Sequence, residues 1–201
     1  MKALLFTHEK KNSGKATIFS NILLGLILNG ERVCVVNIDE DRKLFSYLGV
    51  KNQEIKDVYS YVSDCVIADL LAISENKAER LIQWHGMYYS KFDIMLINCS
   101  KENEDWVQTQ LSVILELQNI FVVQSIDAGE KYLNKMVVSD KKPMIIYNGL
   151  EEVGARDFLK FPILKEIAEG SSAGKPYLYF NGEDAKADVL WEFFNQFIAR
   201  V

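Results

Sequence analysis

A chain of 201 residues suits one domain of ordinary size, and 49% apolar with 25% charged residues is a soluble globular composition. Folding at this length buries roughly 70% of the surface that the unfolded chain exposes, so a real core is expected and a disordered adaptor is excluded. Twenty-three basic residues against 28 acidic ones leave a net charge of −5, which does not suit a protein that coats nucleic acid. The longest apolar runs, such as residues 22–28, are far too short to cross a bilayer. The opening apolar stretch breaks at His8-Glu9-Lys10-Lys11 without a small-residue cleavage site, so it reads as a first strand and not as a secretion signal. Cys34, Cys65 and Cys99 are odd in number and lack ligand or redox spacing; reduced core thiols of a cytoplasmic protein are the plain expectation.

Short apolar runs at residues 3–7, 33–38, 93–98, 120–124 and 143–148 read as strands. They are apolar throughout, as strands covered on both faces should be. Residues 15–29, 76–89, 102–118 and 128–139 carry helical periodicity between them. A last helix over 185–201 sets Val189, Leu190, Phe193, Phe194, Phe197 and Ile198 largely on one face. Strand and helix in alternation predict a single α/β domain over residues 1–201, three-layered, with a mostly parallel sheet flanked by helices. Residues 44–89 are mixed: 47–50 and 55–62 read as a turn and a short helix, and 66–73 as helix or strand.

One segment carries chemistry. His8-Glu9-Lys10-Lys11-Asn12-Ser13-Gly14-Lys15-Ala16-Thr17 joins the first strand to the first helix. Unpaired backbone N–H groups and the positive dipole end at a helix start favour an anion, and a lysine adds mobile charge. A solvated basic turn that merely caps the helix is the alternative. A standard P-loop has Gly at its first position and Ser or Thr after the lysine; here those places hold Glu9 and Ala16.

Read from Lys10 to Thr17, the loop resembles the deviant Walker A of the ParA/MinD family of P-loop ATPases, Lys-Gly-Gly-x-Gly-Lys-Thr-Thr. Later landmarks follow in order: Asn37-Ile38-Asp39 resembles the second strand's Asp-x-Asp, and residues 92–99 resemble the Walker B strand. Phe161-Pro162-Ile163 and Gly174-Lys175-Pro176 resemble the closing segment and its Gly-Lys-Pro turn. The resemblance covers nearly the whole chain except residues 51–89, and it implies a ParA/MinD-like P-loop fold.

It also implies roles. Lys10 falls on the signature lysine that reaches a partner's nucleotide, and Asp39 on the acid that orients the attacking water. Lys10, Lys11, Asn12, Ser13, Gly14, Lys15, Ala16 and Thr17 fall on the nucleotide-binding loop. Asn148 and Pro162 fall where relatives hold the base. ATP or ADP is the implied ligand.

The departures concentrate on the metal site. Ala16 lacks the hydroxyl that would ligate magnesium, while Asn37 and Asn98 replace two acids with amides. Magnesium prefers charged oxygen ligands, so no metal ligand is assigned and hydrolysis should suffer most. Asn37 and Asn98 as plain strand ends are the alternative, and for Asn148 a turn former is. Asn12 replaces a loop glycine with a residue that tolerates the left-handed conformation, whereas Lys11 lacks that excuse. A bulky Lys11 also weighs against a face-to-face homodimer.

The reading is a degenerate member that positions or scaffolds a larger assembly, such as partition, pilus or secretion machinery. Its partner would be an active ParA/MinD-like ATPase or a second copy of itself. The alternatives are an active ATPase with a nonstandard magnesium site (Asn37, Asn98, Asp39 and Glu40 or Asp41) and a purely structural interaction module. A basic membrane anchor is not expected, because residues 191–201 carry one basic residue and one acid. A pI near 5.2 gives little support to DNA binding, although Lys131, Lys135, Lys141 and Lys142 form either a local patch or a solvated face. Trp84, Tyr88, Tyr89 and Trp106 are core residues or an aromatic partner surface. His8 and His85 have no nucleophile to serve.

Overall fold

The computed structural model describes residues 1–40, 43–50, 58–62, 65–69, 82–83, 86–87, 90–111, 116–135, 142–150, 157–176 and 184–201. The chain runs β1 (Lys2–His8), α1 (Lys15–Leu28), β2 (Val33–Ile38), α2 (Lys43–Tyr47), β3 (Val58–Val62), β4 (Cys65–Asp69) and β5 (Ile94–Cys99). A 3-10 turn (Lys101–Asn103) then leads into α3 (Glu104–Leu111). β6 (Leu117–Val123), α4 (Ile126–Lys135), β7 (Met144–Tyr147), β8 (Phe158–Lys160), α5 (Lys165–Ser172) and α6 (Ala185–Ile198) complete it.

The eight strands among the described residues form one sheet, in the order β3-β4-β2-β5-β1-β6-β7-β8. Seven are parallel, and β3 joins the edge antiparallel to β4. Side chains alternate between two buried faces. Leu4, Phe6, Val33, Val35, Leu96 and Ile146 pack under α1, α2, α5 and α6 with Phe19, Phe45, Ile167 and Phe197. Ala3, Leu5, Cys34, Val36 and Ile97 turn the other way, onto Val107 and Trp106 of α3. Phe121, Val123 and Ile145 meet Tyr132 of α4 on that same side. Burial on both faces is why these strands read as unbroken apolar runs.

The last helix docks tightly because Gly25 leaves room for it. A Cβ there would stand 2.6 Å from the Phe194 ring. Leu190, Phe193, Phe194 and Phe197 face the core as expected, but Val189 is 44% exposed and belongs to the outer face. All three cysteines are buried, and burial pushes the Cys34 and Cys99 thiols up to about 12. They behave as small core residues.

Three expectations need correction. The short helix expected within residues 55–62 is strand β3 where described, paired with β4 through a register irregularity between Ser60 and Val62. The open reading of residues 66–73 resolves to strand over Cys65–Asp69. The helix expected to reach residue 118 is described over Glu104–Leu111, and it cannot reach 118 because Leu117 already begins β6 beside Ala3. Trp84, His85, Tyr88, Tyr89, Lys141 and most of residues 76–89 lie outside the described residues. No helix among the described residues is long and apolar enough to cross a membrane.

Candidate functional site

The direction of chain progression across the sheet changes at β1: β2 and β5 lie to one side, β6, β7 and β8 to the other. Open α/β sheets bind ligands outside the carboxyl ends of their strands at such a switch point. A cleft of about 840 Å³ opens there, walled by the loop between β1 and α1 and by the ends of β2, β5, β7 and β8.

The loop is held by contacts from three directions. Glu9 extends the ladder, donating its N–H to the Val122 carbonyl at 3.0 Å, and its carboxylate accepts the Gln124 N–H at 3.2 Å. Gln124 Nε2 donates to the Asn12 carbonyl at 3.2 Å, and Lys43 Nζ to Asn12 Oδ1 at 2.8 Å. Asn12 is left-handed at φ 64°, as its residue type allows. Lys11 does not adopt a positive φ, so glycine is not needed at its place. It lines the cleft with its side chain exposed.

Gly14 is constrained twice. It caps α1 at φ 88°, and a Cβ on it would collide with Asn148 Nδ2, which donates to the Ser13 carbonyl at 2.8 Å. Gly14→Ala is therefore expected to cost about 1–2 kcal/mol from the left-handed backbone alone. The displaced Asn148 adds to that in a urea unfolding curve. An unchanged midpoint would contradict the loop geometry.

Lys15 points down into the protein. Its Nζ stands 2.5 Å from Asp39 Oδ2 and 2.6 Å from the Cys99 carbonyl, with 6% and 8% of the two residues exposed. Behind it, β2 and β5 align Asn37 with Asn98. Asn37 Nδ2 donates to the Asp39 carbonyl at 3.1 Å, which fixes its Oδ1 as the acceptor for Asn98 Nδ2 at 2.7 Å. The Asn98 Oδ1 is left buried without a partner. Ser13, 1% exposed, also has an unpartnered hydroxyl, and both residues line the cleft.

This donor set does not fit magnesium. Ala16 offers no side-chain oxygen, the Asn37 oxygen is engaged by Asn98, and Asp39 is engaged by Lys15. The unpartnered oxygens left here are neutral, the Asn98 amide and the Ser13 hydroxyl, whereas the ion prefers several charged ones; Glu40 and Glu102 line the cleft but do not join Asp39 in a group placed to hold a metal. Among the described residues, no group of three His, Cys, Asp or Glu side chains is placed to hold a metal.

The structure thus gathers Lys11, Asn12, Ser13, Gly14, Lys15, Ala16, Thr17, Asp39, Asn98, Asn148 and Pro162 on one cleft. Asn37 stands behind it, and Lys10 is exposed and does not line it. Asn21 is a strut: its Nδ2 donates to the Thr17 carbonyl and to Ser171 Oγ, tying α1 to α5. Of the lysine patch, Lys142 pairs with Asp157 at 2.7 Å. Sequence reading set His8 aside as a catalyst and did not single out Glu102; both line the cleft. Their position at the carboxyl ends of β1 and β5, flanking the loop, was the available signal. Burial, reinforced by the Lys15 charge, lowers the His8 pKa and keeps the ring neutral.

Comparison with known proteins follows the same architecture. No protein-family model matches the sequence, and no curated protein matches it either. Solved structures do. The MinD cell division protein of Aquifex aeolicus superposes with a TM-score of 0.75 at 15% identity, over 100% of this chain and 98% of that one. The septum site-determining protein MinD of Pyrococcus horikoshii, complexed with Mg-ADP, gives 0.71 at 18% identity, over 98% and 95%. A plasmid partition protein of Borrelia burgdorferi bound to AMPPNP gives 0.66 at 14% identity, over 97% and 98%. The chain shares the fold of these MinD and plasmid partition proteins over 97–100% of its length.

Proposed function

We propose that this chain is a ParA/MinD-like protein that holds a nucleotide at the loop from Lys10 to Thr17 and hydrolyses it weakly or not at all. In this reading the whole chain is one domain, and its work is cytoplasmic positioning or scaffolding within a larger assembly. Neighbours in fold that are named for septum placement and plasmid partition support the positioning role. The partner would be an active ATPase of the same fold or a second copy. Lys10, exposed and off the cleft wall, is free of any duty inside its own site.

One observation carries the proposal: the positions that would hold the metal are closed onto one another. Asn98 bonds Asn37, Asn37 bonds the Asp39 backbone, and the Asp39 carboxylate bonds Lys15. Phosphoryl transfer relies on metal-assisted charge neutralisation, so loss of the metal set removes turnover before it removes binding. The chain itself supplies phosphate donors: the N-terminal amides of α1, Lys15 and Lys11. Phe161, Pro162 and Leu164 offer an apolar wall for a base, beside Asn148.

Calorimetric titration with ADP and ATP, with and without magnesium, tests this. The expected result is binding that ignores magnesium, with no release of phosphate from ATP. Binding that requires magnesium and is followed by turnover would replace the proposal with an active ATPase. Silence with both nucleotides would leave an interaction module built on the fold.

A further inference from the structure

The cleft has two chemically different ends. Asn148 after β7 and Pro162 after β8 mark one, and the loop with Lys15 lies in the middle. Past Lys15, the ends of β2 and β5 bring Asp39, Glu40, Asn98 and Glu102 to the other. That second end is rich in acceptors. It carries three carboxylates and the buried, unpartnered Asn98 Oδ1. Lys15 already bonds Asp39 and the Cys99 carbonyl, and Lys43 bonds Asn12.

Glu102 is held in this place by the turn that bears it. The neighbouring Lys101 Nζ sits 4.7 Å from the Phe121 ring centroid, and Tyr132 stacks on that ring. On the other flank, Asn103 Nδ2 donates to Ser100 Oγ at 3.0 Å and to the Ile38 carbonyl at 3.4 Å. Its own backbone N–H and the Ser100 hydroxyl hold the Glu102 carboxyl below the usual carboxylate range, so it is charged.

A nucleotide with its base at the Asn148 end runs its phosphates along the loop and past Lys15. Two phosphates fall against the α1 amides, the unpartnered Ser13 hydroxyl, Lys15 and Lys11. A third falls among acceptors, with no metal set to bridge them. We infer that the site selects a nucleoside diphosphate over the triphosphate, and that Glu102 is the residue that discriminates. This rests on the nucleotide reading above and adds its specificity.

The test is titration of the full chain and of Glu102→Gln with ADP and ATP, each with and without magnesium. Glu102 is exposed and the change is isosteric, so the variant folds. A carboxylate at close range in a half-open cleft, partly offset by the nearby Lys11 charge, is worth up to about tenfold, so the native chain should bind ADP up to about tenfold tighter than ATP. Magnesium should leave that ratio where it is, and Glu102→Gln should bring it toward one. Equal affinities in the native chain, a magnesium-driven preference for ATP, or an unmoved ratio in the variant would each overturn the inference and leave the nucleotide reading standing. Binding of neither nucleotide would overturn both.

Discussion

Lys15→Met is expected to lower the unfolding free energy by about 3 kcal/mol or more, because it strands the Asp39 carboxylate in the interior without its partner. Both residues are more than nine-tenths buried, and Nζ and Oδ2 are 2.5 Å apart. Removing one partner of such a pair leaves a charge that water no longer solvates. Removing both does not. The double variant Lys15→Met with Asp39→Leu should recover most of the loss, since apolar side chains of similar volume replace buried ion pairs at little cost. Neither variant should bind ADP, so stability and binding separate in the double variant. Urea unfolding of the two single variants and the double one measures the coupling.

The Arg32–Asp93 pair is the internal control. It is bidentate, and the Arg32 hydrogen bonds bring the Asp93 carboxyl down to about 2, yet its side chains are 49% and 40% exposed. Solvent screens it, and Arg32→Met should cost no more than about 1 kcal/mol. A Lys15→Met loss as small as that would mean that the buried pair is open in solution.

The sheet was legible where the strands lie in its middle. β1, β2, β5, β6 and β7 are sealed on both faces, so their sequences are apolar runs with nothing else to be. The edges were not. Among the described residues β3 pairs on one side only, with an irregular register, and residues 58–62 mix Val, Tyr and Ser in a pattern that a short helix could share. β8 is three residues long, below what any periodicity can reveal. α5 was missed because Lys165–Ser172 contains Gly170 and ends on two serines, poor helix formers whose place is set by packing of Ile167 and Ser171.

The candidate site divides the same way. Its phosphate loop is contiguous in the chain, so the residues from Lys11 to Thr17 could be read off and do line one cleft. What holds the loop could not be read. Glu9 meets Gln124 and Asn12 meets Lys43 across strand ends far apart in sequence, and such pairings follow from strand order, which no local pattern encodes. The bond between Asn37 and Asn98 belongs to this class too. Each amide was visible as a departure; that the two departures satisfy each other was not.

That mutual satisfaction makes the largest binding prediction. In the triple variant Ala16→Thr, Asn37→Asp and Asn98→Asp, a 2.7 Å amide bond becomes two carboxylates facing each other across the ends of β2 and β5. Asn37 also loses its donor to the Asp39 carbonyl. Loss of these bonds and burial of like charges should cost at least ~3 kcal/mol without metal. One carboxyl of the pair relieves the repulsion by keeping a proton. Magnesium relieves it better. Two acids and the hydroxyl introduced by Ala16→Thr would give the ion charged oxygens at the family's three metal positions. Millimolar magnesium should therefore raise the thermal midpoint of the triple variant and leave that of the native protein unmoved, because a ligand stabilises only the state that binds it. A midpoint indifferent to magnesium in the triple variant would mean that these three positions do not converge on a metal. The closed amide chain would then be an ordinary strand-end contact, and the case for a disabled ATPase would lose its main support.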